Sequence, residues 1–257
     1  MRVRVVQHST RRRHALRRRT LWTGGELLVT VGVVLLLLVV DQLWWTNRQA
    51  QHSAERKVRA LEREWGTSKT ADPAAAGTKE GDSTGAVRKH SSRRRSSRAT
   101  VNSPRPRWSQ AYAILAIPRL SLRVPVAEGV SKQDVLNKGY VGHYKGTQQP
   151  GQAGNFALAG HRNTHGEPFR YLPRLQRGDT ITVETKTALY TYVVDKSLPQ
   201  TSARDSGVIR GVPRSTVHSS YGYSEPGYYI TLTTCTPEYT SKYRMAVWGK
   251  LRSMRPR

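Results

Sequence analysis

The residue best suited to a chemical reaction is Cys235, the single cysteine among 257 residues. It lies in Tyr228–Arg244, which opens with alternating aromatic and β-branched residues, so we predict a strand that ends near the thiol. Pro237 has no N–H to donate and ends regular pairing just beyond it. A lone cysteine is most often a small buried hydrophobe, but the polar neighbours and the proline favour a thiol at a rim. Accessible thiols become good nucleophiles beside positive charge.

Arg244 is a candidate to supply that charge. It begins the next predicted strand, nine positions after Cys235. If the two strands pair, the guanidinium and the thiol face the same end of the sheet, where an always-charged donor can stabilise an oxyanion or hold a carbonyl. A surface arginine in so basic a chain is an equally good interpretation of the sequence alone.

His161 is the candidate for proton transfer. It follows the apolar strand Asn155–Ala159 in the stretch FALAGHR. A histidine at a strand end is more often structural than catalytic, so the spacing makes His161 a candidate and not an assignment. His143 and His165 are close enough in sequence to be rivals, and His218 lies in a polar loop.

The positioning elements come from residues 109–257, which alternate apolar and polar residues often enough to build a core of about one domain. Roughly seven or eight short strands with turn signals between them indicate an all-β barrel or sandwich. We also predict a short helix with Ser131 as N-cap that ends at Gly139, and a polar loop from about Asp195 to Glu225. The strand candidates are Ala111–Ile117, Leu122–Val126, Asn155–Ala159, Thr180–Glu184, Ala188–Val194, a strand from Tyr228 to Cys235, and Arg244–Leu251.

The apolar segment 21–45 predicts a transmembrane anchor. A helix from Trp22 to Trp44 rises about 33 Å, close to the ~30 Å hydrocarbon core. Eight arginines precede it and fewer basic residues follow closely, so the positive-inside rule places residues 1–20 in the cytoplasm as a basic tail and the rest outside. A cleaved signal peptide is the alternative, but no A-x-A-like site follows Val40.

Residues 46–108 are expected to act mainly as a tether. Asn47–Trp65 lacks Gly and Pro, which favours a charged juxtamembrane helix. Gly66–Trp108 is too poor in apolar residues to offset its ordering entropy, so we predict a disordered linker. The net charge is +26, but the acidic partners outside a cell are phospholipid headgroups or wall polymers, so no nucleic acid is expected.

Three features together resemble the sortases, the cysteine transpeptidases of Gram-positive cell surfaces. They are LAGHR at 158–162, TLTTCTP at 231–237 and Arg244 at the start of the next strand. The resemblance covers about residues 111–251 and implies a sortase-like closed β-barrel with short helices. The arginine-rich chain with a long polar tether is most similar to the class E sortases of high-GC actinobacteria.

The resemblance implies a role for each site residue. Cys235 would attack the Thr carbonyl of an LPxTG-like sorting signal and form a thioester, while His161 acts as acid and base and Arg244 stabilises the oxyanion. Thr234 is a candidate to hold the substrate or oxyanion. Tyr112 is a candidate to narrow the pocket, because class E members are associated with LAxTG; plain core packing is the preferred alternative for this tyrosine.

The implied partners are secreted proteins with C-terminal sorting signals and an amino group of a peptidoglycan precursor of the lipid II type. No metal or cofactor is expected, because the chain has neither C-x-x-C nor H-E-x-x-H spacing, nor a phosphate-loop or dinucleotide glycine motif. Glu225 and Glu238 are isolated, so no calcium site is expected. Two alternatives stay open: a cysteine hydrolase on the same scaffold, and a tethered basic β-domain that binds anionic wall polymer with an inert thiol.

Overall fold

The computed structural model describes residues 9–70 and 106–257. One long helix, α1 (Ser9–Thr70), precedes eight strands, and short 3-10 turns connect some of them. Most of the predicted linker Gly66–Trp108, namely residues 71–105 with the arginine-rich stretch at 88–98, lies outside the described residues, whereas residues 66–70 continue α1. The strands are β1 (Ala111–Ile117), β2 (Leu122–Glu128), β3 (Val141–His143), β4 (Gly154–Ala159), β5 (Thr180–Thr185), β6 (Ala188–Ser202), β7 (Tyr228–Thr236) and β8 (Tyr243–Pro256).

The eight strands form a closed barrel in the order β1-β2-β3-β4-β7-β8-β6-β5. The closed barrel confirms the fold implied by the resemblance and decides between the barrel and the sandwich. Alternation along each strand fills its interior, and every strand contributes side chains to one buried cluster. Phe169 and Leu172, from the connection after β4, join that cluster. The connection that follows the predicted histidine is therefore anchored in the core.

Several elements differ from the prediction, and β8 extends five residues beyond its predicted end at Leu251. β6 continues to Ser202, well into the predicted polar loop, because it pairs with β8 along its length through three register shifts. The short strand β3 was not predicted. The predicted helix with Ser131 as N-cap consists of turns and a 3-10 segment, Leu136–Lys138, which ends as expected at Gly139 in the left-handed region.

The predicted anchor segment, residues 21–45, lies within α1. Its large apolar side chains from Leu27 to Val40 are exposed. From Gly24 the helix is long and apolar enough to cross a membrane. An apolar surface of this size is characteristic of a segment that contacts lipid.

The second half of α1 packs on the barrel, in contrast to the tether that the sequence suggested. Its buried face recurs every three or four residues, as an amphipathic helix requires. Val58 and Leu61 belong to one buried cluster with Ile114, which points outwards from β1. Burying one such apolar side chain is worth roughly 1.5–3 kcal/mol, so this face holds the helix against the barrel. The buried helix residues are Ala50, Ala54, Val58, Leu61 and Trp65.

Candidate active site

Cys235 and Arg244 lie opposite each other on the antiparallel strands β7 and β8. Directly paired residues share a face of the sheet and have Cβ atoms about 4.5–5.5 Å apart. Leu232 faces the barrel interior, so Cys235, three residues later, faces outwards, and both site residues are partly exposed. Arg244 Nη1 donates hydrogen bonds of 2.9 Å to the carbonyl oxygens of Ser241 and Tyr243, which hold the guanidinium at its hairpin.

The end of β4 carries His161 to the same place. β4 and β7 are parallel neighbours, and their pairing continues past the end of β4. The Gly160 N–H donates to the Thr233 carbonyl oxygen at 3.1 Å, and Thr234 Oγ1 donates to the Gly160 carbonyl oxygen at 2.8 Å. His161 therefore leaves the sheet at the level of Cys235.

Arg162 and Phe169 fix the backbone around His161. Arg162 Nη1 donates to the carbonyl oxygen of Cys235 at 3.2 Å, which ties the strand end of the histidine to that of the thiol. The Phe169 N–H donates to the His161 carbonyl oxygen at 3.0 Å. A Cβ atom on Gly160 would lie 2.7 Å from the Phe169 ring. The glycine of the GHR motif is therefore required by this close approach.

The His161 ring is oriented by Asn137. Its Nε2 lies 2.9 Å from Asn137 Oδ1. Because an amide oxygen only accepts, Nε2–H is the donor, and the neutral ring carries its free lone pair on Nδ1. Asn137 is itself held by the turn before it, since its N–H donates to the Lys132 carbonyl oxygen at 2.7 Å.

The surroundings of His161 favour the neutral ring. Burial lowers its pKa from 6.5 to about 4, and His165 and Lys132 add to the effect as positive neighbours. The two histidine rings stack with centroids 5.3 Å apart, and burial also lowers the pKa of His165. A neutral ring with a free Nδ1 lone pair is a proton acceptor, which is the form that a base for a thiol needs.

The connection between β6 and β7, residues 203–227, covers the outer face of the barrel beside the part of β7 that precedes the thiol. The Val208 carbonyl oxygen accepts hydrogen bonds from Trp248 Nε1 at 3.0 Å and from Thr231 Oγ1 at 3.3 Å. Thr231 and Trp248 are completely buried, whereas Cys235 and Arg244 further along the strands are partly exposed. The connection thus lies beside the candidate site without covering it.

Asp205 holds the β6–β7 connection in place. Its Oδ2 accepts from Ser215 Oγ at 2.5 Å and from Thr201 Oγ1 at 2.6 Å. Its Oδ1 accepts from the Thr216 N–H and hydroxyl, both at 2.9 Å. Burial alone raises the pKa of Asp205, but these hydrogen bonds together outweigh burial and lower it below its ordinary value. The carboxylate is therefore a charged anchor for the connection.

Thr234 and Tyr112, the two predicted substrate contacts, are placed differently. The Thr234 side chain is buried, and its hydroxyl is bonded to the Gly160 carbonyl oxygen, so it acts on the backbone beneath His161. Tyr112 packs on the barrel interior. Its neighbours Glu128 and His143 end β2 and β3, which run antiparallel to β7. These contacts agree with core packing, the preferred alternative for Tyr112.

The rival histidines have other positions. His143 is buried in the barrel, where its Nδ1 lies 2.7 Å from Glu128 Oε2. His218 lies in the β6–β7 connection, edge-on to Tyr221. His165 alone reaches the candidate site, through its stack with His161.

Asn137 and Arg162 are the site residues that the sequence analysis missed. Arg162 directly follows the predicted histidine. Successive side chains of an extended segment point to opposite faces, so the sequence could have placed Arg162 on the face opposite to His161. Asn137 offered no such signal, because the turn that carries it meets His161 only through the tertiary fold.

Comparison with known proteins bears on the identity of the chain. A family model described as the sortase domain matches residues 115–252. Sortase SrtE1 of Streptomyces coelicolor is 42% identical over 238 residues, which is 91% of this chain and 57% of SrtE1. The chain thus spans 57% of the length of that relative. SrtE2 of the same organism is 34% identical over 88% of this chain and 80% of its own length.

Solved structures agree with these matches. Sortase E1 from Streptomyces coelicolor, crystallised with a tripeptide in its active site, superposes with a TM-score of 0.55 at 52% identity, covering 58% of this chain and 92% of that one. Sortase E from Streptomyces avermitilis gives a TM-score of 0.52 at 39% identity, covering 58% and 93%.

The barrel fold and these matches define a sortase, and the chain belongs to the sortase family. Within that family it is similar to the class E sortases. Membership of this family favours the interpretation as an enzyme over the alternative of a binding domain with an inert thiol.

Proposed function

We propose that this sortase cleaves an LAxTG- or LPxTG-type sorting signal after its threonine and transfers the protein to an amino group of a peptidoglycan precursor. The observation that carries the proposal is the meeting of Cys235, Arg244 and His161 at one rim of the barrel. Two of them face each other across β7 and β8. The third leaves β4 in register with them, through the Gly160–Thr233 hydrogen bond.

In the first half-reaction Cys235 Sγ attacks the threonine carbonyl carbon, and its proton passes to Nδ1 of the neutral His161 ring. The tetrahedral intermediate then collapses as the imidazolium gives that proton to the leaving amine. The C–N bond breaks and an acyl thioester remains on Cys235. The hydrogen bond from Nε2–H to Asn137 Oδ1 keeps the free lone pair on the required nitrogen.

Arg244 carries the charge stabilisation in this proposal. The guanidinium cannot be deprotonated and presents several donors in a fixed plane. Only its Nη1 donates to the hairpin carbonyl oxygens of Ser241 and Tyr243, so donors remain for the threonine oxyanion. A preorganised donor that meets charge only in the transition state accelerates the step.

In the second half-reaction an amine attacks the thioester, loses a proton to His161, and releases Cys235. An amino group of a lipid II-type precursor is the acceptor we propose, and a secreted protein with a C-terminal sorting signal is the donor. The same thioester would also react with water, so a cysteine hydrolase on this scaffold differs from a transpeptidase only in its product.

We further propose the topology expected from the sequence: a cytoplasmic tail at 1–20, an anchor at 21–45 and a catalytic domain at 109–257 outside the membrane. The continuous helix supports this arrangement. Asn47, two residues after the anchor segment, contacts the connection that carries His165. The candidate site would then lie close to the membrane surface, where lipid-linked substrates are held.

The test uses the full chain in detergent micelles with matched LAxTG and LPxTG peptides. Mass spectrometry detects an acyl adduct on Cys235, and chromatography measures transfer to an added amine. We expect an adduct that is absent from the Cys235→Ala variant, together with a product that depends on the amine. The ratio of the two peptide rates measures the preference for LAxTG.

Two outcomes would count against the proposal. Cleavage that persists in Cys235→Ala would exclude the thioester route. An adduct that yields only hydrolysed peptide at saturating amine would identify a hydrolase. A lysine-like amine and a peptidoglycan stem-peptide amine serve as matched acceptors, so that an unsuitable amine is not mistaken for hydrolysis.

A further inference from the structure

We infer that the membrane-proximal part of α1 is a positioning element of the active site, in which Asn47, Ala50 and Gln51 hold the two segments that flank His161. This inference rests on the proposed role of His161. One segment is the turn with Asn137, which ends at Gly139. The other is the connection after β4, which passes through Gly166.

The first contact lies between α1 and Gly139. A Cβ atom on Gly139 would lie 2.7 Å from the Ala50 carbonyl oxygen, so the helix backbone leaves room only for glycine. Gly139 also has a φ of +79°, a conformation that other residues adopt at a cost. Asn137, two residues earlier, bonds the His161 ring. The position of the helix therefore limits where Asn137 can lie.

The second contact lies between α1 and Gly166. The Gly166 N–H donates to Asn47 Oδ1 at 2.6 Å, and a Cβ atom on Gly166 would lie 3.4 Å from the Gln51 backbone nitrogen. His165, the residue before it, stacks on His161 with centroids 5.3 Å apart. Asn47 thus reaches the catalytic ring through a single intervening side chain.

The backbone at this contact needs such external support. His165 and Gly166 have φ values of +52° and +85°. A histidine in the left-handed region costs free energy and persists only when its surroundings determine it. The hydrogen bond from Gly166 to Asn47 is such a determinant, because it fixes the peptide that directly follows His165.

The register of the helix is set at its far end. Arg123 on β2 bridges Glu62 of α1 at 2.7 Å and Glu184 of β5 at 2.8 Å. The Arg257 guanidinium lies 4.9 Å from the centroid of the Trp65 ring. These contacts and the buried face of α1 oppose sliding and rotation of the helix on the barrel. The position of Asn47 relative to Gly166 is therefore fixed.

The experiment compares three variants of the full chain in micelles. Asn47→Ala removes the acceptor for the Gly166 N–H, Asn47→Asp keeps an oxygen there, and Gln49→Ala is a matched polar change at an exposed position of the same helix. Hydrogen exchange reports on the amides of 161–166, and steady-state kinetics separate kcat from KM.

We expect Asn47→Ala to speed exchange at Gly166 and to lower kcat about 10-fold to 100-fold, because small misplacements of a catalytic group are costly. The KM for the peptide and the thermal midpoint should change little. Asn47→Asp should restore most of kcat, and Gln49→Ala should behave as the wild type. Equal exchange and equal kcat in Asn47→Ala and Gln49→Ala would overturn the inference.

Failure of the proposed function would be seen separately. If the wild-type chain formed no acyl adduct with either peptide, the transpeptidase proposal would fail in every variant alike. Hydrogen exchange needs no substrate, so its comparison of Asn47→Ala with Gln49→Ala would still decide whether α1 holds the segment 161–166.

Discussion

His143 and His161 are two histidines with opposite surroundings. His143 lies inside the barrel, 1% exposed, and its ring nitrogens contact Glu128 at 2.7 Å and Thr147 at 2.9 Å. His161 lies at the rim, where one ring nitrogen bonds Asn137 and the described residues provide no hydrogen-bond partner for the other. The first ring is saturated with partners, and the second keeps a lone pair free.

We propose that this difference separates a structural histidine from a reactive one better than burial does. A ring whose two nitrogens are both engaged holds neighbouring elements together and has no site for a transferred proton. A ring with one engaged nitrogen has a fixed tautomer and an accepting position. The free nitrogen matters only because Cys235 and Arg244 face the same rim.

The largest effect that tests this comparison is expected from His161→Ala. Loss of the acid and base should lower the rate of acyl transfer about 10²–10⁴-fold. Because the side chain is at the rim, the thermal midpoint should stay near that of the wild type. Rates of thioester formation, measured by mass spectrometry, provide the check. A variant that keeps more than a tenth of the wild-type rate would contradict the role of His161.

Arg244→Ala should give the next largest effect. Removal of one oxyanion donor typically costs about 10²–10³-fold in kcat. Arg244→Lys is the matched control, because it keeps the positive charge but loses the planar fork of donors. We expect the lysine variant to recover only part of the rate. Full recovery would mean that charge alone suffices and that the proposed geometry of donors is unnecessary.

His143→Ala should produce the reverse pattern. The change removes the closer of the two side-chain partners of the Glu128 carboxylate and opens a cavity beside Phe156, so we expect a loss of about 3 kcal/mol in the free energy of unfolding. The rate per folded molecule should change less than twofold to threefold. Chemical denaturation and thiol titration of the folded fraction measure the two quantities. A large loss of rate with unchanged stability would reverse the assignment.

Much of the fold was predictable because local patterns agree with it. β7 alternates strictly, and Pro237 follows its last residue closely, so both the strand and the position of the thiol at its end could be inferred. The closed barrel came from the resemblance, since alternation and turn signals fit a sandwich equally well. β3 was missed because three residues are too few to show a period.

The sequence also contains a signal for the packing of α1 on the barrel. β1 reads AYAILAI, which is apolar on both faces, and such a run indicates a strand covered on both sides. The barrel covers one face of Ile114's strand and α1 covers the other. The apolar and small residues Ala50, Ala54, Val58 and Leu61 also recur at helical spacing. Together these two patterns predict a helix that packs on this strand.

The site was predictable only in part. The types and strand-end positions of Cys235, His161 and Arg244 were visible in the sequence, because each lies beside a break in an apolar run. Asn137 was not visible, because its contact with His161 joins segments that are distant along the chain. Tyr112 was only a candidate for the pocket, and its packing on the barrel core agrees with the preferred alternative.

The smallest effect concerns the pH dependence of stability. Burial, with His165 and Lys132 nearby, lowers the pKa of His161 from 6.5 to about 4. As the pH falls from about 6.5 to about 4, the unfolded chain takes up a proton on this ring and the folded protein does not. The unfolded state then binds more protons, so stability is complete above about 6.5 and declines through this window.

His161→Gln removes that linkage, so its unfolding free energy should decline less than that of the wild type over the same window. His218→Gln is the matched control at a histidine remote from the site, and its curve should follow the wild type. His165 keeps its own lowered pKa, so the slope should be reduced and not abolished. Parallel curves for all three proteins would show that the His161 ring is as well hydrated as one in the unfolded chain, and the contrast with His143 would then rest on hydrogen-bond partners alone.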